Sequence, residues 1–225
     1  LPVPLHKRKA HTFMTEENQS SAVRKPNVKW RVVDIVVAAI VAVASGVIFW
    51  AWDFIYAVPT ALFDSLTPGL GGLFHFMWLF AGPLVAIIIR KPGAALITEV
   101  LASAIELLMG NSGGATVVLT GLIQGVGCEL GFAVFRYRKY NLLSMALSGV
   151  FAAVCIFCYE LYYLSYYLLA PTMLAAQLAV RFASAVVFSG VIAKLACDGL
   201  ARTGGLRSYA VGARLAPVSI DDEEE

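Results

Sequence analysis

Charge is what this chain has least of. Only 14% of its 225 residues are Asp, Glu, Lys or Arg, against about 25% in an ordinary soluble domain. Hydrophobic residues make up 59%, and mean hydropathy is +0.76. That balance excludes a soluble globular domain and points to a polytopic membrane protein. The basic residues sit at the ends of apolar segments and form no continuous face, which speaks against a nucleic-acid partner. No Gly-Lys-Ser/Thr phosphate loop is present, so the chain does not hydrolyse ATP itself. A nucleophile with its base and a His/Cys/Asp ligand set are both lacking, so neither an enzyme nor a metal protein is expected. Cys128, Cys155, Cys158 and Cys197 all fall in apolar segments. Cys155 and Cys158 form a C-x-x-C with no second pair and no accompanying His. They read as small buried hydrophobes, with no disulfide and no cofactor implied. The first residues, Leu1 to Lys29, are polar and basic with no apolar h-region, which excludes a signal peptide there.

Long apolar runs stand where the charge is missing. Six follow one another, at about Trp30–Trp52, Gly71–Ile89, Gly93–Met109, Ala115–Phe135, Leu142–Leu164 and Gln177–Leu200. Each is near the roughly 20 residues that a spanning helix needs. The expected fold is an all-α membrane protein in three parts. These are a disordered cytoplasmic tail over residues 1–29, one bundle of six transmembrane helices over 30–200, and a second cytoplasmic tail over 201–225 that ends in DDEEE. Lys and Arg set the orientation. They lie in the first tail, at Arg90–Lys91, at Arg136–Lys139 and from Lys194 onward, whereas the loops Asp53–Leu70, Gly110–Gly114 and Ser165–Ala176 carry none. Both termini are therefore expected in the cytoplasm, with those three loops outside. Arg181 alone breaks the pattern.

Polar residues inside the apolar runs are the candidates for function. An ionised group at the centre of a spanning helix costs about 2.5–3.5 kcal/mol on the insertion scale. Even so, Glu99 and Glu106 lie in the third run, and Gln124 and Glu129 in the fourth. Seven residues separate Glu99 from Glu106, so the two share one helical stripe about 10 Å apart. Asn111, in the Gly-rich outer turn GNSGG, supplies a donor and an acceptor. Glu160 stands among tyrosines that include Tyr163, and Arg181 lies at a similar depth, so a carboxylate partner for it is expected from Glu160 or Glu106. His75, Trp78, Trp52 and Tyr56 occupy the same outer side, either as a membrane-interface belt or as walls for a ring or a cation. These polar groups converge on the outer half and are expected to line a pocket for a small polar solute. For Glu99 and Glu129 a buried hydrogen-bonded network between helices is an equal reading.

The first helix repeats small residues at Ala38, Ala42 and Gly46, which share one face. That stripe suits close helix packing, either within this bundle or against a separate membrane subunit. The aromatic and proline-rich stretch after it reads as an irregular outer loop that could act as a lid. Two alternatives to a solute-binding subunit also fit the residues. One is a proton- or cation-coupled carrier using Glu99, Glu106 and Glu129 as a relay. The other is a purely structural membrane subunit.

The runs RKPGAALITE, ELLMGN, GLIQGVGCELGFAVFRY and LARTGGL resemble the YkoE family over Trp30 to about Arg214. These are S components of energy-coupling factor (ECF) transporters, in the branch for thiamine and its hydroxymethylpyrimidine precursor. The resemblance implies a non-catalytic six-helix subunit of a prokaryotic cell membrane. It would capture its vitamin from outside and work with a transmembrane T component and a pair of ABC-type ATPases. It also implies that the first-helix motif, here Ala38 and Ala42, contacts the T component. Ser112 and Gly113 depart from the family pattern, which has an aromatic in this turn.

Overall fold

The computed structural model describes residues 29–66 and 70–215; the tail expected over the first 28 residues and the acidic run at the C terminus lie outside the described residues. The elements are α1 (Val32–Ile55), α2 (Ala57–Leu66), a 3₁₀ stretch (Leu70–Leu79) leading into α3 (Ala81–Ile89), α4 (Ala94–Met109), α5 (Thr116–Ala133) and α6 (Leu142–Tyr163). A 3₁₀ turn (Tyr166–Leu168) then leads to α7 (Pro171–Ala185), a π-helical stretch (Val186–Ile192), α8 (Ala193–Arg202) and α9 (Gly212–Leu215). Among the described residues there is no strand. Five helical stretches among the described residues are long and apolar enough to cross a membrane: Val32–Ile55, Leu70–Ile89, Thr116–Ala133, Leu142–Tyr163 and Pro171–Arg202. α4, with 16 residues, is about 24 Å long and falls short of the ~30 Å hydrocarbon core.

The Leu70–Ile89 stretch is the most buried of the five, and Pro83 explains its broken form. In a continuous α-helix the carbonyl of Leu79 would accept from the N–H of residue 83, which proline lacks. Here Ser189 Oγ donates to that carbonyl at 2.9 Å instead. The preceding 3₁₀ stretch is ten residues long, well beyond the usual three or four. Two more of its carbonyls are taken from neighbouring elements. Ser184 Oγ donates to Leu73 O at 2.5 Å, and Trp52 Nε1 donates to Phe74 O at 3.0 Å. The amide freed at the start of α3, Gly82 N–H, donates to Glu99 Oε1 at 2.7 Å.

A second carboxylate does similar work at the start of α4. Glu129 of α5 accepts from Gly93 N at 2.6 Å, Ala95 N at 3.2 Å and Leu96 N at 3.4 Å. It takes up the amides that a helix start leaves open and adds negative charge at the positive end of the dipole. At the basic end, the wholly buried Asp34 accepts from Arg31 N at 2.8 Å, from Tyr209 OH at 3.1 Å and from Lys91 Nζ. It ties the foot of α1 to the α3–α4 turn and to the segment after α8.

One expectation is corrected by these elements, and one small-residue stripe finds a neighbour. Ala38, Ala42 and Gly46 are buried within this chain. A Cβ on Gly46 would stand 2.7 Å from the Ala102 carbonyl oxygen, so α4 already occupies the close approach that the small residues allow. α1 turns Val32, Val36, Ile40, Val43 and Val47 outward instead. The stretch after α1 is helical rather than irregular: α1 runs to Ile55, and α2 carries Pro59 in its first turn, where a missing N–H costs nothing.

α5 and α6 meet along a glycine seam. A Cβ on Gly127 would lie 2.3 Å from Ala152 Cα, and one on Gly131 would lie 2.3 Å from Ser148 Cα. Overpacking costs about 1–3 kcal/mol even where side chains can yield, and here the obstacle is backbone. Gly131→Val should therefore lower the unfolding temperature of the detergent-solubilised protein. Gly199→Ala, at an exposed helical position with nothing within 4 Å of the added Cβ, should hold or raise it. Equal melting of Gly131→Val and the parent would contradict the seam.

Candidate functional site

A partly open cavity of about 220 Å³ lies at the end of the bundle away from the basic residues. Five elements and a turn build it. α1 contributes Asp53, and the α1–α2 junction contributes Tyr56. The 3₁₀ stretch brings His75 and Trp78, and α4 brings Ser103 and Glu106. The α4–α5 turn adds Ser112 and Gly113, α5 adds Val117, Thr120 and Gln124, and α6 adds Ile156 and Glu160.

Glu106 is the centre of its chemistry. The residue is 1% exposed. Its Oε1 accepts from Trp78 Nε1 at 3.0 Å, and its Oε2, with the Asn111 side chain close by, has no hydrogen-bond partner of good geometry among the described residues. A buried polar oxygen left unpaired is costly, and an oxygen on a cavity wall can be supplied by a guest. The rings nearby are held in place. Tyr56 meets Trp78 edge to face at 5.0 Å and His75 at 5.8 Å. Burial first, and then the Asp53 carboxylate, raise the Tyr56 hydroxyl above its ordinary value, so it remains a donor at neutral pH. Asp53 fixes the mouth: its Oδ2 accepts from Ser112 N at 2.7 Å and its Oδ1 from Ser112 Oγ at 2.8 Å. Among the described residues no three His, Cys, Asp or Glu side chains come together as metal ligands would.

Of the residues singled out from sequence, His75, Trp78, Glu106, Gln124 and Glu160 meet on this wall. Trp52, Glu99, Asn111, Tyr163 and Arg181 do not line it. Trp52 and Glu99 serve the backbone around the 3₁₀ break. Asn111 has both amide atoms buried with no hydrogen bond of good geometry among the described residues, and its side chain lies close to the Glu106 carboxyl. Tyr163 is 60% exposed and stacks on Tyr159 at 5.0 Å. Arg181 pairs with Glu160 at 2.5 Å and lies over the Phe157 ring at 5.4 Å, so it stands behind the cavity and holds a wall residue. Sequence reasoning passed over Asp53, Ser103 and Thr120. Helical spacing carried a signal for two of them: Ser103 is one turn before Glu106, and Thr120 is one turn before Gln124.

An all-helical membrane bundle with a polar cavity opening at one end is the build of a transporter's substrate-binding subunit. The comparisons with known proteins agree. The family described as "ABC-type cobalt transport system, permease component" matches residues 33–155. A protein of Bacillus subtilis (strain 168), provisionally named HMP/thiamine permease protein YkoE, is 31% identical over 188 residues, which cover 83% of this chain and 92% of that protein. A crystal structure of an S component of an ECF transporter superposes with a TM-score of 0.76 at 30% identity, over 83% of this chain and 93% of that one. The chain belongs to the YkoE family of ECF-transporter S components.

The Arg181–Glu160 pair is largely withdrawn from solvent, with side chains 4% and 16% exposed. Removing one partner of such a pair leaves the other charge stranded, at about 3–5 kcal/mol. Glu160→Gln should therefore lower stability strongly in denaturant unfolding, and Glu160→Gln with Arg181→Met should recover most of the loss. A double variant no more stable than Glu160→Gln would contradict the pairing.

Proposed function

We propose that this chain is the substrate-binding subunit of an ATP-driven importer and that its cavity captures an aminopyrimidine, hydroxymethylpyrimidine or the thiamine built from it. In this reading α4 is a sixth crossing, both termini face the cytoplasm and the cavity opens outward. The scarcity of Lys and Arg around the cavity end, where Arg181 alone stands and is paired with Glu160, and their abundance at the other end support that orientation. Transport energy comes from partner ATPases through a transmembrane T component, since the sequence holds no phosphate-binding loop of its own.

The observation that carries the ligand class is the open oxygen of Glu106 on a wall that also holds an amide, hydroxyls and ordered aromatic rings. An aminopyrimidine presents an exocyclic amine beside a ring nitrogen. The carboxylate accepts from the amine, the Gln124 amide serves both atoms, and the Tyr56–Trp78 pair bounds the ring. The printed name of the Bacillus subtilis relative, an HMP/thiamine permease, supports the same class. Sites for drug-sized ligands run to roughly 300–1,000 Å³. At about 220 Å³ the cavity favours the one-ring precursor over the two-ring vitamin. The use of both Glu129 oxygens and one Glu99 oxygen by backbone amides speaks against the carrier alternative.

Calorimetry on the purified protein tests this. Hydroxymethylpyrimidine should bind, and Glu106→Gln should weaken it about tenfold or more, the worth of a hydrogen bond to a charged group. Glu129→Gln should lower the melting temperature while leaving the affinity of the folded protein within about twofold, as for a distant site. A folded sample that binds neither hydroxymethylpyrimidine nor thiamine would reject the proposal.

A further inference from the structure

Asp53 carries a charge that its place in the fold does not explain. It lies in the last turn of α1, where the helix dipole is negative and a carboxylate gains nothing from it. Its two oxygens hold Ser112, one at the backbone amide and one at the hydroxyl. An asparagine could make the same latch. Its amide oxygen would accept from the Ser112 N–H, and the serine hydroxyl could turn to accept from its amide nitrogen. The latch therefore depends on the shape of Asp53 and not on its charge. That charge stands on the cavity wall and is felt by its neighbours: after burial, the Asp53 carboxylate is the next cause that holds the Tyr56 hydroxyl above its ordinary value.

The rest of the wall leaves the charge uncancelled. The loops Asp53–Leu70, Gly110–Gly114 and Ser165–Ala176, at the cavity end of the bundle, hold no Lys or Arg. Arg181 stands behind the wall and is paired with Glu160. Neither Asp53 nor Glu106 has an ion-pair partner among the described residues, and Glu106 adds an acceptor oxygen that lacks a donor of good geometry. In a cavity of about 220 Å³ a guest lies within a few ångströms of the lining, well inside the roughly 8–10 Å over which salt screens a charge. Such a wall suits a guest that brings donors. It opposes one that brings further acceptor oxygens with negative charge.

We propose that Asp53 is a charge selector at the mouth of the cavity, which admits free hydroxymethylpyrimidine and rejects its phosphate ester. The inference rests on the aminopyrimidine reading of the same cavity, and the experiment separates the two. Calorimetry on the purified protein compares the free alcohol with its phosphate ester, which carries about two negative charges at neutral pH. The parent should bind the alcohol about a hundredfold or more tighter, the effect of setting like charges side by side. In Asp53→Asn that ratio should fall about tenfold or more, the worth of one charge a few ångströms away. Ser112→Ala weakens the latch and keeps the charge, so its ratio should stay within about twofold of the parent's, whatever happens to either affinity. If Asp53→Asn does not fold, the carbamate ester of the same alcohol decides the matter in the parent. It resembles the phosphate ester in size and is uncharged, and it should bind about tenfold or more tighter than the phosphate. Equal binding of the alcohol and its phosphate would overturn the selector while leaving the aminopyrimidine reading intact. A ratio unchanged in Asp53→Asn, or a carbamate bound no better than the phosphate, would assign the rejection to size and overturn it as well. A folded parent that binds neither the alcohol nor the ester would reject the reading and the selector together.

Discussion

The middle of a bilayer offers no water, so each polar group carried there must be met inside the chain or by a guest. Pro83 shows how far that constraint reaches. By lacking an N–H it strands the Leu79 carbonyl and breaks the central span, and the break frees the Gly82 amide. Ser189 answers the first and Glu99 the second. The 3₁₀ stretch before the break is held by Trp52 and Ser184. It carries His75 and Trp78 onto the cavity wall and sets Trp78 against Glu106. A backbone irregularity thus places the side chains that give the cavity its character.

Function emerges from this ledger by subtraction. Asp34 is taken by Arg31, Lys91 and Tyr209, Glu129 by the start of α4, and Glu160 by Arg181. Glu99 gives one oxygen to Gly82 and keeps the other in the core, away from the cavity wall. Glu106 is different: its open oxygen stands at a cavity wall lined with donors and rings.

Much of this was legible before the structure. Apolar length marked the spans, and the rarity of carboxylates within them drew attention to α4 and α5. The need of Arg181 for a partner pointed to Glu160 or Glu106, and the structure pairs it with Glu160. Other features lay beyond sequence reading for physical reasons. A small-residue stripe reports that some helix comes close without saying which, and here it is α4 against Ala38, Ala42 and Gly46. A carboxylate in an apolar run looks alike whether it caps a helix start, as Glu129 does, or faces a cavity, as Glu106 does. Asp53 sits at the end of a span where a charge is cheap, so nothing in the sequence marked its grip on Ser112 across 59 residues.

The central claim is that the free oxygen of Glu106 is completed by the captured solute. Crystals grown with hydroxymethylpyrimidine test it most directly. The account predicts density for the ring between Trp78 and Gln124, with its exocyclic amine within hydrogen-bond distance of Glu106 Oε2. A ring bound elsewhere, or a Glu106 Oε2 bonded only to groups of the chain while the ligand is present, would contradict it.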